Sequence, residues 1–161
     1  MNDRKNKKLT ELCQLVSDVG VANAVRLKQR LEQTLDRFGY TGLDSRVQSL
    51  VLHHFICMNF ALINGVWSNL ENASLRRDLL AESLQAFVLK SVSFWTQSQD
   101  IDDRAYTAVL IQEEIQRFWK TCLERMKKIE ADGMTVNGNA VFLYTLELVK
   151  SHLNLSDARM K

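Results

Sequence analysis

An all-α fold, built as an up-and-down bundle of four long helices with a short C-terminal helix, is predicted by three features of the sequence. The 161 residues include no proline and only six glycines, so the commonest helix stop and the commonest turn residue are both scarce. Apolar residues recur at steps of three and four along most of the chain, as in helices with one buried face. Short polar or glycine-bearing stretches separate the periodic segments, which makes neighbouring helices antiparallel. No segment alternates with period two between turn signals, and no repeat or linker divides the chain, so residues 1–161 are read as one domain.

The first helix is expected from Leu9 to Phe38, with residues 1–8 frayed. Its stripe Leu9, Leu12, Val16, Val19 resumes as Ala24, Leu27, Leu31, Leu35, Phe38, and the five-residue step beside Gly20 predicts a kink or short break there. Gly39 stands where a left-handed residue ends a helix. After the loop Gly39-Tyr40-Thr41-Gly42-Leu43, Ser45 and Gln48 have capping-box spacing, so the second helix should start there and end near Glu71. Asn72 and Ser74 offer caps for a third helix carrying Leu75, Leu79, Leu80, Leu84, Phe87, Val88, Phe94 and Trp95.

The fourth helix has Asp100 as N-cap, Asp102 and Asp103 in its first turn, and Gly133 beyond its end. Ile101, Ala105, Ala108, Gln112, Ile115, Trp119, Cys122, Met126 and Ile129 step by four and three throughout, a heptad repeat that implies left-handed packing of long helices. Across the loop 132–138, a shorter fifth helix should bury Phe142, Leu146, Val149 and Leu153. The tail, residues 156–161, is polar and expected to fray. Each long segment, at about 25–31 residues, would span roughly 37–46 Å.

Composition narrows the function classes. With 46% hydrophobic residues and 25% charged ones, the chain has enough apolar surface to form a core without disulfides or a structural metal. Cys13, Cys57 and Cys122 are odd in number, widely spaced and set among apolar neighbours, which points to reduced thiols in a cytoplasmic protein. Leu9–Val25 is broken by polar residues, so a secretory leader is not expected. Val47–Leu70 lacks any charge and is long enough to cross a membrane. His53, His54, Asn59 and Asn64 within it favour instead a central helix covered by its neighbours.

No catalytic constellation emerges. There is no nucleophile elbow, no phosphate-binding glycine loop and no di-iron helix motif, and the cysteines lack the electropositive settings that make thiolates. His53, His54 and Cys57 form the one cluster of soft ligands, with His53 and Cys57 one helical turn apart. Closing a zinc site would need Cys122 or His152, and a haem could take His53 or His54, but no spacing supports either. Neither a metal nor a cofactor is therefore expected.

Arg46 precedes His53 by seven residues. This pair resembles the Arg-x(4–6)-His element of the all-helical HEPN ribonuclease superfamily, in which the arginine and histidine serve in RNA cleavage. The resemblance covers two residues of one helix, and Val47 stands where a polar residue often follows the arginine. It implies an HEPN-like ribonuclease as a third reading, and no role is carried over to either residue.

Charge supplies the other two readings. Five acids and one base lie between Ser98 and Glu114, and five bases and one acid between Ile115 and Lys128. Two copies of this helix could pair antiparallel in a two-fold dimer, each basic end against the other's acidic end. The leading expectation is thus a non-enzymatic interaction protein, a regulator, adaptor or small subunit. Its protein partner is first of all a second copy, with Gln112, Ile115, Trp119 and Met126 as contact positions. The alternative is a helical nucleic-acid-binding subunit using Arg26, Arg30, Arg37, Arg125, Lys127 and Lys128. A net charge of only +2 weakens that signal.

Overall fold

The computed structural model describes residues 2–40, 43–131 and 139–153. Five helices follow in order: α1 (Asn2–Arg37), α2 (Ser45–Ser68), α3 (Ala73–Trp95), α4 (Ile101–Ala131) and α5 (Asn139–Leu153). The predicted bundle is observed, with four long helices running up and down and the short fifth added at the end. Thr41 and Gly42 of the expected loop 39–43, the loop 132–138 with Gly133, and the tail 156–161 lie outside the described residues.

Helix α2 is the axis of the fold. It packs against all four other helices, which is why a 24-residue helix without an acidic or basic residue beyond Arg46 is stable in this position. Its length and composition also suit a membrane span, but here Val51, Phe55, Ile56, Phe60 and Ala61 are covered by neighbouring helices. Its start differs from expectation. Asp44, not Ser45, is the N-cap and accepts a bond from the Arg46 backbone N–H at 2.6 Å, while Gln48 reaches back to the Leu43 carbonyl at 2.8 Å. Its last helical residue is Ser68 rather than one near Glu71.

In α1 the helix begins at Asn2, so residues 2–8 are helical rather than frayed. Nothing among them breaks a helix, and a Lys7–Glu11 pair at 4.0 Å spans one turn. The kink expected at Gly20 is absent as well, and α1 runs through it unbroken. The buried face is Cys13, Ser17, Gly20, Val21 and Ala24, whereas Leu12 and Val19 of the predicted stripe are exposed. Small residues win this face because α2 and α3 both pack closely there. The helix ends as foreseen. Gly39 takes φ +81°, and the Tyr40 and Gly39 N–H groups bond the Leu35 and Asp36 carbonyls, a Schellman arrangement.

Asn72 caps α3 by accepting from the Leu75 N–H at 2.9 Å. Asp100 caps α4 by accepting from the N–H groups of Asp102 and Asp103. Within α4 the buried stripe is Ile111, Ile115, Phe118 and Cys122. This keeps the 4-3-4 rhythm of the predicted heptad but is rotated off it. Ile101, Ala105 and Gln112 are exposed, and Ala108, Trp119, Met126 and Ile129 are half-buried at the edges. In α5 the buried face is Val141, Thr145 and Val149, while Phe142 and Leu146 face outward. Thr145 is accommodated because its hydroxyl donates to the Val141 carbonyl at 2.8 Å.

Candidate functional site

All three histidines of the chain meet where α2, α3, α4 and α5 come together. Their positions follow from the helical register of α2. His53 sits on the side facing α3 and α4, and His54, about 100° further round, faces α5. The His54 and His152 rings stack with centroids 5.0 Å apart, and their Nε2 atoms lie 2.9 Å from each other. One Nε2 must therefore carry a hydrogen and donate, and the other must accept.

Burial, reinforced by the neighbouring His53 and His152, lowers the His54 pKa to about 4. His54 is thus held neutral near pH 7. On the other side, His53 is buried and its Nε2 lies 3.1 Å from Glu114 Oε2 and 3.4 Å from Cys57 Sγ. The Trp95 ring meets it edge-on at 5.2 Å. The hydrogen bond from His53 holds the Glu114 carboxyl below the ordinary carboxylate range. Beside this contact opens a cavity of about 280 Å³ lined by His53, Trp95, Thr107, Glu113, Glu114 and Arg117 among others.

The chemistry available here is limited. His53 directs Nε2 at Glu114, and its Nδ1 is buried without a hydrogen-bond partner. Burial pushes the Cys57 thiol well above its usual pKa and the Cys122 thiol up to about 11, so both are held as inert thiols. His152, one of the two residues weighed as closing a metal site with His53 and Cys57, pairs with His54 instead. Among the described residues no group of three or more His, Cys, Asp or Glu side chains is arranged to hold a metal. Of the resembling pair, Arg46 is exposed in the first turn of α2 and His53 is buried about two turns on.

The expected partner-contact residues divide. Ile115 is fully buried and fastens α4 to the bundle, Trp119 and Met126 pack at the edge of the core, and Gln112 is exposed. Nor do the expected nucleic-acid residues form one patch. Arg26, Arg30 and Arg37 are exposed on α1, which does not touch α4, where Lys127 and Lys128 lie. Arg125 is engaged internally, 2.9 Å from Glu147 and with its guanidinium 4.2 Å from the centre of the Tyr144 ring.

The more extensive feature is the outer face of α4. At about 100° per residue, Asp102, Tyr106, Val109, Glu113, Arg117, Lys120, Glu124 and Lys127 lie opposite the buried stripe, and all eight are exposed. Tyr106 is 67% exposed and Val109 54%, with Ile101 at 81% beside them. Sequence reasoning missed this face because it assigned the heptad positions, rather than their opposite side, to the partner. It missed Glu114 and Trp95 because nothing in their local spacing reports a distant histidine. No family model matches the chain, and no curated protein or solved structure shows significant similarity to it.

Proposed function

We propose that this chain is a non-enzymatic interaction protein, a regulator or small subunit, that pairs first with a second copy of itself through the outer face of α4. The carrying observation is that one exposed face of a 31-residue helix is acidic and apolar in its first half and basic in its second. Laid antiparallel about its midpoint near Ile115, it brings Asp102 beside Lys127 and Lys128, and Glu113 beside Arg117. The exposed Tyr106 and Val109 then lie against the aliphatic stems of the partner's basic half. Such a pairing is isologous, so each favourable contact is made twice. The three cysteines are free and buried, which supports a reducing, cytoplasmic setting.

Sedimentation velocity tests the reading. A dimer is expected at low ionic strength, dissociating as salt is raised to roughly 0.5 M, where charges more than about 4–5 Å apart are screened. A chain that remains monomeric at both ionic strengths up to about millimolar concentration, where even contacts worth only ~4 kcal/mol would be half occupied, overturns it.

A further inference from the structure

Among the described residues every buried polar side chain but one makes at least one hydrogen bond, His53 through its Nε2 alone. Ser17, Ser91 and Thr145 donate to backbone carbonyls, Asn59 is bonded to Asn23 and Phe55, and Ser83 accepts from Trp67. Asn64 on α2 is only 1% exposed, yet neither the oxygen nor the nitrogen of its carboxamide has a partner. An unpaired buried amide is costly, so its donor and acceptor are both open to a polar partner.

Asn64 lines a cleft of about 700 Å³ between α2, α3 and α4, a size within the range of small-molecule sites. Phe60, Leu80, Leu84 and Trp119 give apolar walls, and Gln85, Gln112 and Gln116 also line it. Arg77 is the one charged side chain of the lining, is exposed, and makes no ion pair among the described residues. The cleft thus combines an inner carboxamide offering a donor beside an acceptor, an indole with a flat face, and an uncompensated guanidinium.

From this combination we infer that the cleft binds a free mononucleotide, with the base edge on Asn64, the base against Trp119 and the phosphate toward Arg77. A carboxamide can make two hydrogen bonds to an adjacent donor and acceptor such as those of adenine, and a purine stacks over more of the indole than a pyrimidine does, so we take AMP as the leading ligand. Base stacking on an aromatic ring is the usual companion of such edge recognition. Arg is suited to the phosphate because its planar fork makes paired, charge-assisted bonds. The inference does not rest on self-association through α4.

Titration calorimetry at low salt, with AMP, GMP, CMP, UMP and adenosine as separate probes, tests it. AMP is expected to bind the whole chain with Kd below about 1 mM and more tightly than the pyrimidine nucleotides. Arg77→Ala, at an exposed position, should weaken AMP on the order of tenfold and leave adenosine unchanged. Asn64→Leu should weaken both AMP and adenosine by roughly tenfold or more without lowering the melting temperature, because it replaces an unpaired amide by an apolar group of similar shape. Should that variant not fold, Trp119→Leu supplies the same comparison at a half-buried wall. The inference fails if no mononucleotide binds at millimolar concentration or if binding survives all three substitutions. It also fails if only an oligonucleotide binds, which would place the contact on the basic helix faces.

Discussion

Gly20 of α1 lies so close to Phe87 of α3 that a Cβ on Gly20 would stand 2.6 Å from the Phe87 ring carbon Cζ and 2.9 Å from Cε1. Phe87 is itself fully buried and packed edge-on against Phe60 at 5.5 Å, so its ring has no free space into which to turn. Gly20 therefore serves close approach of two helices rather than a bend. Gly20→Ala gains about 1 kcal/mol of helix propensity but overpacks this contact, and a net loss of about 1–2 kcal/mol is expected in urea unfolding. Combining it with Phe87→Leu should give a loss smaller than the sum of the two single changes. Strict additivity would show that the ring and the glycine do not oppose each other.

Stability should fall in acid through His54. Its folded pKa, about 4, lies below the ordinary value near 6.5, so the unfolded chain binds the proton more readily between those limits. The contribution is fully present above pH 6.5 and is lost progressively as pH falls toward 4, by roughly 2–4 kcal/mol for a shift of this size. The lowered pKa of Glu114 acts in the same direction, at the lower end of that window and below it. Urea unfolding at pH 7, 5.5 and 4.5 measures the loss. His54→Phe should flatten the profile between pH 6.5 and 4.5, and an unchanged slope in that variant would remove His54 as its cause.

What the sequence disclosed was set by how local the controlling physics is. Asn72, Asp100 and Gly39 act on backbone groups within a few residues, so the helix ends they mark were readable. The uncharged stretch of α2 was readable as a central helix because few other solutions cover so much apolar surface. Faces were harder to place. On α1, exposed Leu12 and Val19 outrank Ser17 and Gly20 in hydrophobicity, yet the small residues are buried because α2 and α3 approach there. On α4 and α5 the period was legible and the phase was not, since a half-buried Trp119 and an exposed Phe142 look like core until the neighbouring helices are known. The histidine cluster depends on a contact 98 residues apart in the chain, and Asn64, with neither amide atom bonded, stands out only once the partners of the other buried polar side chains are known.

Thiol reactivity gives a third prediction. All three cysteines are buried, and burial raises each pKa, that of Cys122 to about 11. At pH 7.5 the folded protein should react with a thiol reagent far more slowly than the unfolded chain, whose thiols titrate near 8.5. Three equivalents should be consumed promptly in urea, and reaction in buffer should follow the rate or extent of opening. Rapid labelling of one cysteine in buffer would identify an exposed thiol and contradict its burial.

The proposed pairing of α4 makes a demanding prediction because two-fold symmetry would relate its charges. In a variant with Asp102→Lys and Glu113→Lys, the first new ammonium would face Lys127 of the second copy and the other would face Arg117, so base meets base. In a variant with Arg117→Glu and Lys127→Glu, acid would face acid at the same places. Each variant alone should be monomeric, since four reversed contacts at exposed positions cost roughly 2–4 kcal/mol in association. Mixed in equal amounts they restore opposite charges at all four contacts, and a heterodimer should appear in sedimentation at low salt. Folding is checked separately by melting, where the loss of Asp102 from the first turn of α4 should cost about 0.3–1 kcal/mol. If the mixture stays monomeric while the parent chain dimerises, the parent uses another face. If either variant still dimerises alone, the antiparallel register about Ile115 is wrong.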